Sequence, residues 1–170
     1  MGIWPFTRSA ASRDAEAVLS AVTAASRNPS LYGAGRAPDT LEGRFEMLTV
    51  FASLALVRFQ NEAGAKPLAQ DFTDQLFRLI DSGLREAAVG DTTVPKRMHK
   101  LAGEFYGRLN AYSAALKAED RPALAAAIVR NIGVSEAFAA ELAEIAAATA
   151  ARQKPQNVAA LAEADSWVAA

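Results

Sequence analysis

The chain has 170 residues, enough for one domain with a real core and short for two. Hydrophobic residues make up 51% and charged residues 22%, a globular rather than disordered balance, and a net charge of −1 gives no overall pull toward nucleic acid or anionic membrane. With no cysteine, disulfides, thiolate metal sites, iron–sulfur ligation and cysteine nucleophiles are excluded together, and a reducing compartment fits.

The start, Met1-Gly2-Ile3-Trp4-Pro5-Phe6-Thr7-Arg8, lacks the apolar core of a secretory signal, and Phe6 stands where N-myristoylation requires Ser or Thr. Residues 1–12 are expected to be a flexible segment. Ser12 is placed to cap a first helix over 13–27, with Val18, Leu19 and Val22 as its apolar stripe and Asn28-Pro29 as its stop. A loop follows to Pro38, anchored by Leu31 and Tyr32. Asp39 and Glu42 then have capping-box spacing. The helix they open, reaching about residue 61, is apolar on most sides (Leu41, Phe45, Leu48, Phe51, Leu54, Val57 and Phe59) and so belongs inside a bundle. Its apolar run, 47–57, is broken by Thr49 and Ser53 and falls short of the about 20 residues a membrane span needs.

Pro67 suits the first turn of the next helix, where Leu68, Phe72, Leu76, Leu79, Ile80 and Leu84 form one face up to a stop near Gly90. Pro95 opens another, with Met98, Leu101, Phe105, Leu109, Tyr112 and Leu116 on its apolar side. The last third is alanine-rich, with caps at Asp120 and Ser135 and a break at Asn131-Ile132-Gly133; thin, closely packed helices are expected there. Pro155 sets off a short C-terminal helix over 155–170 that carries Leu161 and Trp167 and is free to detach. The fold class is all-α: a single-domain bundle of six or seven helices, with its body over 13–154.

No cluster of residues carries catalysis, so an enzyme is not expected. His99 is the only histidine and lacks the partners of a zinc site or a triad. The carboxylate pairs Asp71/Asp74 and Glu141/Glu144 face solvent opposite apolar stripes, where they stay ionised and do no acid–base work. Gly33, Gly35 and Gly43 do not make a phosphate loop. The expectation is no cofactor, no metal and no specific DNA partner. The basic stretch Lys96, Arg97, His99, Lys100 and Arg108 is the best candidate for an electrostatic contact, because Lys96 and Lys100 sit where the helix dipole disfavours cations. Tyr106 and Gly107 beside it suit a partner's close approach. Arg44 is also at the wrong end of its helix for its charge, and Arg85, Glu86 and Asp91 are expected to join it in a structural ion network.

Three pieces of the chain combine fixed-backbone residues with paired charges: Pro38-Asp39-Thr40-Leu41-Glu42-Gly43-Arg44-Phe45; Leu84-Arg85-Glu86-Ala87-Ala88-Val89-Gly90-Asp91 with Val94-Pro95-Lys96; and Phe105-Tyr106-Gly107-Arg108. In order and spacing they resemble the ubiquinol–cytochrome c chaperone family, over roughly residues 28–131; Ala88 departs from the glycine usual there, and the alanine-rich end has no counterpart in the resemblance. The resemblance implies an all-helical, non-enzymatic assembly factor of bacterial type. Its client would be newly made cytochrome b or an early intermediate of the respiratory ubiquinol–cytochrome c reductase. Contact with the ribosome and a small partner protein are further implied partners. The location implied is cytoplasmic, with Trp4 and Phe6 allowing peripheral contact at the inner membrane. The client surface would come from aromatics left outside the core, with Phe51, Phe77, Tyr106 and Phe138 as candidates. The alternative reading is a ribosome- or RNA-associated module that uses the basic helix from Lys96 to Arg108.

Overall fold

The computed structural model describes residues 9–87 and 93–168. Six α-helices and no β-strand occur among them: α1 (Ala10–Ser26), α2 (Leu41–Gln60), α3 (Lys66–Glu86), α4 (Val94–Lys117), α5 (Arg121–Ile132) and α6 (Glu136–Gln153). The all-α bundle expected from periodicity is therefore the fold.

α2 is the axis. Every residue from 49 to 57 is buried, and α1, α3, α4 and α6 pack around it. Its two polar interior residues are satisfied within the helix: Thr49 Oγ1 donates to the Phe45 carbonyl at 2.8 Å, and Ser53 Oγ to the Thr49 carbonyl at 2.7 Å. That return to the preceding turn lets hydroxyls enter a core without an orphaned donor. α3 contributes Leu68, Phe72, Leu76, Ile80 and Leu84, one residue per turn. Phe59 of α2 meets Phe72 edge-on with ring centroids 5.6 Å apart.

Several helix starts differ from the sequence reading. Ser9 caps α1, its Oγ accepting from the Ser12 amide at 3.0 Å, so the helix begins before Ser12. Residues 1–8 of the segment expected to be flexible lie outside the described residues, and 9–12 belong to this cap and first turn. At α2 the cap is Thr40, whose Oγ1 accepts from the Gly43 amide at 3.1 Å; Asp39 and Glu42 make no capping box. Leu41, placed on the core stripe by its spacing, is 36% exposed because it sits in the open first turn. α3 ends at Glu86, and Gly90 lies outside the described residues. The caps at Asp120 and Ser135 are as expected, and Gly133 closes α5 in the left-handed region at φ 75°.

The alanines of α6 explain its role. Ala139, Ala143 and Ala146 are buried with Leu142 and Ile145, so the helix comes close to α5 and α2 on small side chains. The chain after Lys154 forms two 3-10 turns, Val158–Ala162 and Ala164–Ser166, where a short helix was expected. They lie on the body as a strap. Leu161 and Trp167 are buried, Trp167 Nε1 donates to the Leu161 carbonyl at 2.9 Å, and the indole lies 6.2 Å from the Phe51 ring. Arg58 latches this strap by donating to the carbonyls of Gln153 and Gln156.

Candidate functional site

The sequence pointed to α4 and to the segments leading into α2 and α4. α2 and α4 run in the same sense side by side: Glu42 pairs with Arg97, Glu46 with Arg108, and Lys117 Nζ donates to Gln60 Oε1 at 3.1 Å. Two residues of the proposed basic contact are thus engaged within the fold. Arg97 belongs to the Glu42 pair. Arg108 forms a forked pair with Glu46, Nε to Oε2 at 2.7 Å and Nη2 to Oε1 at 2.6 Å, with both side chains nearly nine-tenths buried. The guanidinium also lies over the Phe45 ring, 5.8 Å from its centroid. Burial pushes the Glu46 carboxyl above its ordinary value, and the opposing pull of Arg108 does not cancel that push. Beside this pair is Tyr112, whose hydroxyl is pushed up to about 12 by burial and makes no hydrogen bond of proper geometry, although Asn131 is a close neighbour.

The described members of the ion network expected around Arg44 make these local contacts. Arg44 Nε donates to Asp39 at 2.7 Å, both side chains exposed, and that bond holds the Asp39 carboxyl below its ordinary value. Arg85 pairs with Asp81 one turn back on α3 at 2.8 Å, and Glu86 accepts from Ser82 at 3.4 Å. Asp91 and Ala88 lie outside the described residues. Each of these arginines has a carboxylate within five residues in the chain.

Gly43 shows why the first motif reads as it does. A Cβ there would lie 1.9 Å from the Pro38 carbonyl oxygen, so the loop before α2 can press on its first turn only with glycine at this position. The same loop is clamped to α6. Arg36 forms a forked pair with Glu141 at 3.0 and 2.9 Å, and Ser135 Oγ donates to the Gly35 carbonyl at 2.7 Å. These long-range ties had no signal in the sequence, because each partner is about a hundred residues away.

Lys96, His99, Lys100, Gly103, Tyr106 and Gly107 are exposed and share one face of α4. Lys100 reaches Glu104 only at 3.7 Å, and Lys96 has no ion-pair partner among the described residues. Tyr106 is 49% exposed, held edge-on by Phe105 at 5.4 Å and tilted against half-buried Phe77 of α3 at 5.9 Å. Phe51 and Phe138, the other aromatics considered for a client surface, are buried in the core. Among the described residues no helix is long and apolar enough to cross a membrane, and no group of three His, Asp or Glu side chains is arranged to hold a metal ion.

The comparisons with known proteins agree with this architecture. The crystal structure of the Cbp3 homolog from Brucella abortus superposes with a TM-score of 0.79 at 39% sequence identity, over 92% of this chain and 89% of that one. No curated protein sequence matches the chain. A sequence model described as ubiquinol-cytochrome C chaperone matches residues 34–167, so the likeness continues past Asn131 through the alanine-rich helices and the strap. The chain belongs to the ubiquinol–cytochrome c chaperone family.

Proposed function

We propose that this protein is a non-enzymatic assembly chaperone that holds newly made cytochrome b, or an early intermediate containing it, during biogenesis of ubiquinol–cytochrome c reductase. The observation that carries the reading is the family match over residues 34–167, which includes every helix that packs around α2 except α1. The likeness to the Brucella abortus protein, over nearly the full length of both chains, supports it. A chaperone for a membrane client needs an apolar surface with a charged rim. Tyr106 and Phe77 beside Lys96 and Lys100 have that character. The protein acts at the cytoplasmic side of the inner membrane, with the ribosome and a small helper protein as further partners in this reading.

The RNA-binding alternative is less well supported. It counted on five basic residues from Lys96 to Arg108, and two of them, Arg97 and Arg108, are already neutralised by Glu42 and Glu46. Deleting the chain from its host tests the proposal. Cytochrome b should fall several-fold at unchanged transcript level, and its pulse-labelled form should be degraded before haem and partner subunits are added. Unchanged cytochrome b synthesis and survival would contradict it.

A further inference from the structure

Among the described residues, the face formed by α4 and the neighbouring edge of α3 is the one region where a large aromatic side chain is exposed and yet rigidly backed. The Tyr106 ring is fixed by Phe105 and Phe77, with all three centroid separations between 5.4 and 5.9 Å. A half-exposed aromatic whose orientation is already fixed loses little entropy on binding, which is the property of an interface anchor. Along the same face the surface is low. A Cβ built on Gly103 or Gly107 meets nothing within 4 Å, so no described helix packs against them. Mid-helix glycine costs about 1 kcal/mol relative to alanine, and the fold obtains no close packing from either residue in return.

The charges on the face define what suits it. Lys96, His99 and Lys100 are exposed in the N-terminal half of α4, where Lys96 and Lys100 repel each other across one turn and the helix dipole disfavours Lys96 in the first turn. A partner's carboxylates would offset both. A phosphate polyanion fits less well, since Glu104 lies 3.7 Å from Lys100 and 3.9 Å from Arg108 and interrupts the positive charge along the face.

Resting on the chaperone reading above, we infer that this face seats an apolar α-helical segment of the client that carries carboxylates at the end lying over Lys96 and Lys100. The client helix packs along the low track beside Tyr106. Its apolar side covers Phe77 and Tyr106, and its acidic end meets the α4 cations.

In-cell photo-crosslinking tests this on the full chain. A photoreactive residue is placed at position 110, exposed at the edge of the track one turn beyond Tyr106, with exposed Ala140 of α6 as the control position, and the adducts are identified by mass spectrometry. The expected result is an adduct with a membrane-protein helix flanked by Asp or Glu, in yield about ten-fold above the control, the factor that corresponds to one anchor residue. Lys96→Glu with Lys100→Glu should lower that yield about five-fold or more without moving Tm. If the helix is not from cytochrome b, the face stands and the choice of client fails. Adducts that are RNA or a second copy of this chain, or yields no higher than at 140, overturn the docking face; cytochrome b recovered with the tagged protein in that case would leave the chaperone reading intact. Gly107→Leu is the independent check. Its side chain has open space within the chain, so Tm should hold or rise while client recovery falls about ten-fold. Unchanged recovery overturns the proposal.

Discussion

Glu46 and Arg108 show how much a single ion pair depends on its surroundings. Both are about 12–13% exposed, and their forked contact ties α2 to α4. Removing one partner leaves the other charge poorly hydrated, so Arg108→Ala should destabilise the fold by about 3 kcal/mol in urea unfolding. Arg44→Ala breaks an exposed pair held by a single hydrogen bond and should leave the urea midpoint unchanged. Glu46 also gives a pH signature. Its folded pKa is raised above the ordinary 4.5, so the folded state holds this proton more tightly than the unfolded chain. Its contribution is therefore greatest in acid and is lost as pH rises through the folded value. Between pH 4.5 and that value, stability should rise less steeply with pH in the wild type than in Glu46→Gln; equal slopes would show that burial does not dominate. Much of this scale was invisible in the sequence. In sequence Arg108 reads as a surface contact, because nothing in a linear pattern says that Glu46 lies opposite it. Arg44 was assigned a distant partner when Asp39, five residues away, is within reach.

Helices and their stops were the most legible level. The four-residue recurrence Leu68, Phe72, Leu76, Ile80 and Leu84 is the buried edge of α3, and the continuous apolar run of α2 marks the central helix. The caps at Asp120 and Ser135 and the break at Gly133 were readable because each type has one local job. The starts of α1 and α2 were not, since several neighbouring residues have side chains able to cap and backbone geometry selects among them. Ser9 took the place of Ser12, and Thr40 that of Asp39. Gly43 makes the α2 start testable. With a Cβ directed at the Pro38 carbonyl oxygen, Gly43→Ala should cost about 2–3 kcal/mol, whereas Gly103→Ala, which meets no neighbour, should stabilise α4 by a few tenths of a kcal/mol or more. Thermal unfolding of the two variants, moving in opposite directions, checks both.

At the scale of the molecule, the alanine-rich third carries the largest revision. It was expected to end in a helix free to detach, but the terminal strap inserts Leu161 and Trp167 into the core and is latched by Arg58. Trp167→Ala should cost about 3–5 kcal/mol in the unfolding free energy, which a detachable segment would not. The physical reason it was missed is that its 3-10 turns have no long apolar period, and its burial is set by a long-range contact with Phe51. The strap, the clamped loop and the α2–α4 pairs tie the body together elsewhere, and among the described residues the Tyr106 face of α4 has no cover. The most direct test of the client assignment is capture of the C-terminally tagged chain from gently solubilised cells during a short pulse of protein synthesis. The account predicts labelled cytochrome b, recovered without the mature complement of reductase subunits. Recovery of the finished complex in fixed ratio, or of ribosomes and RNA with no cytochrome b, would contradict it.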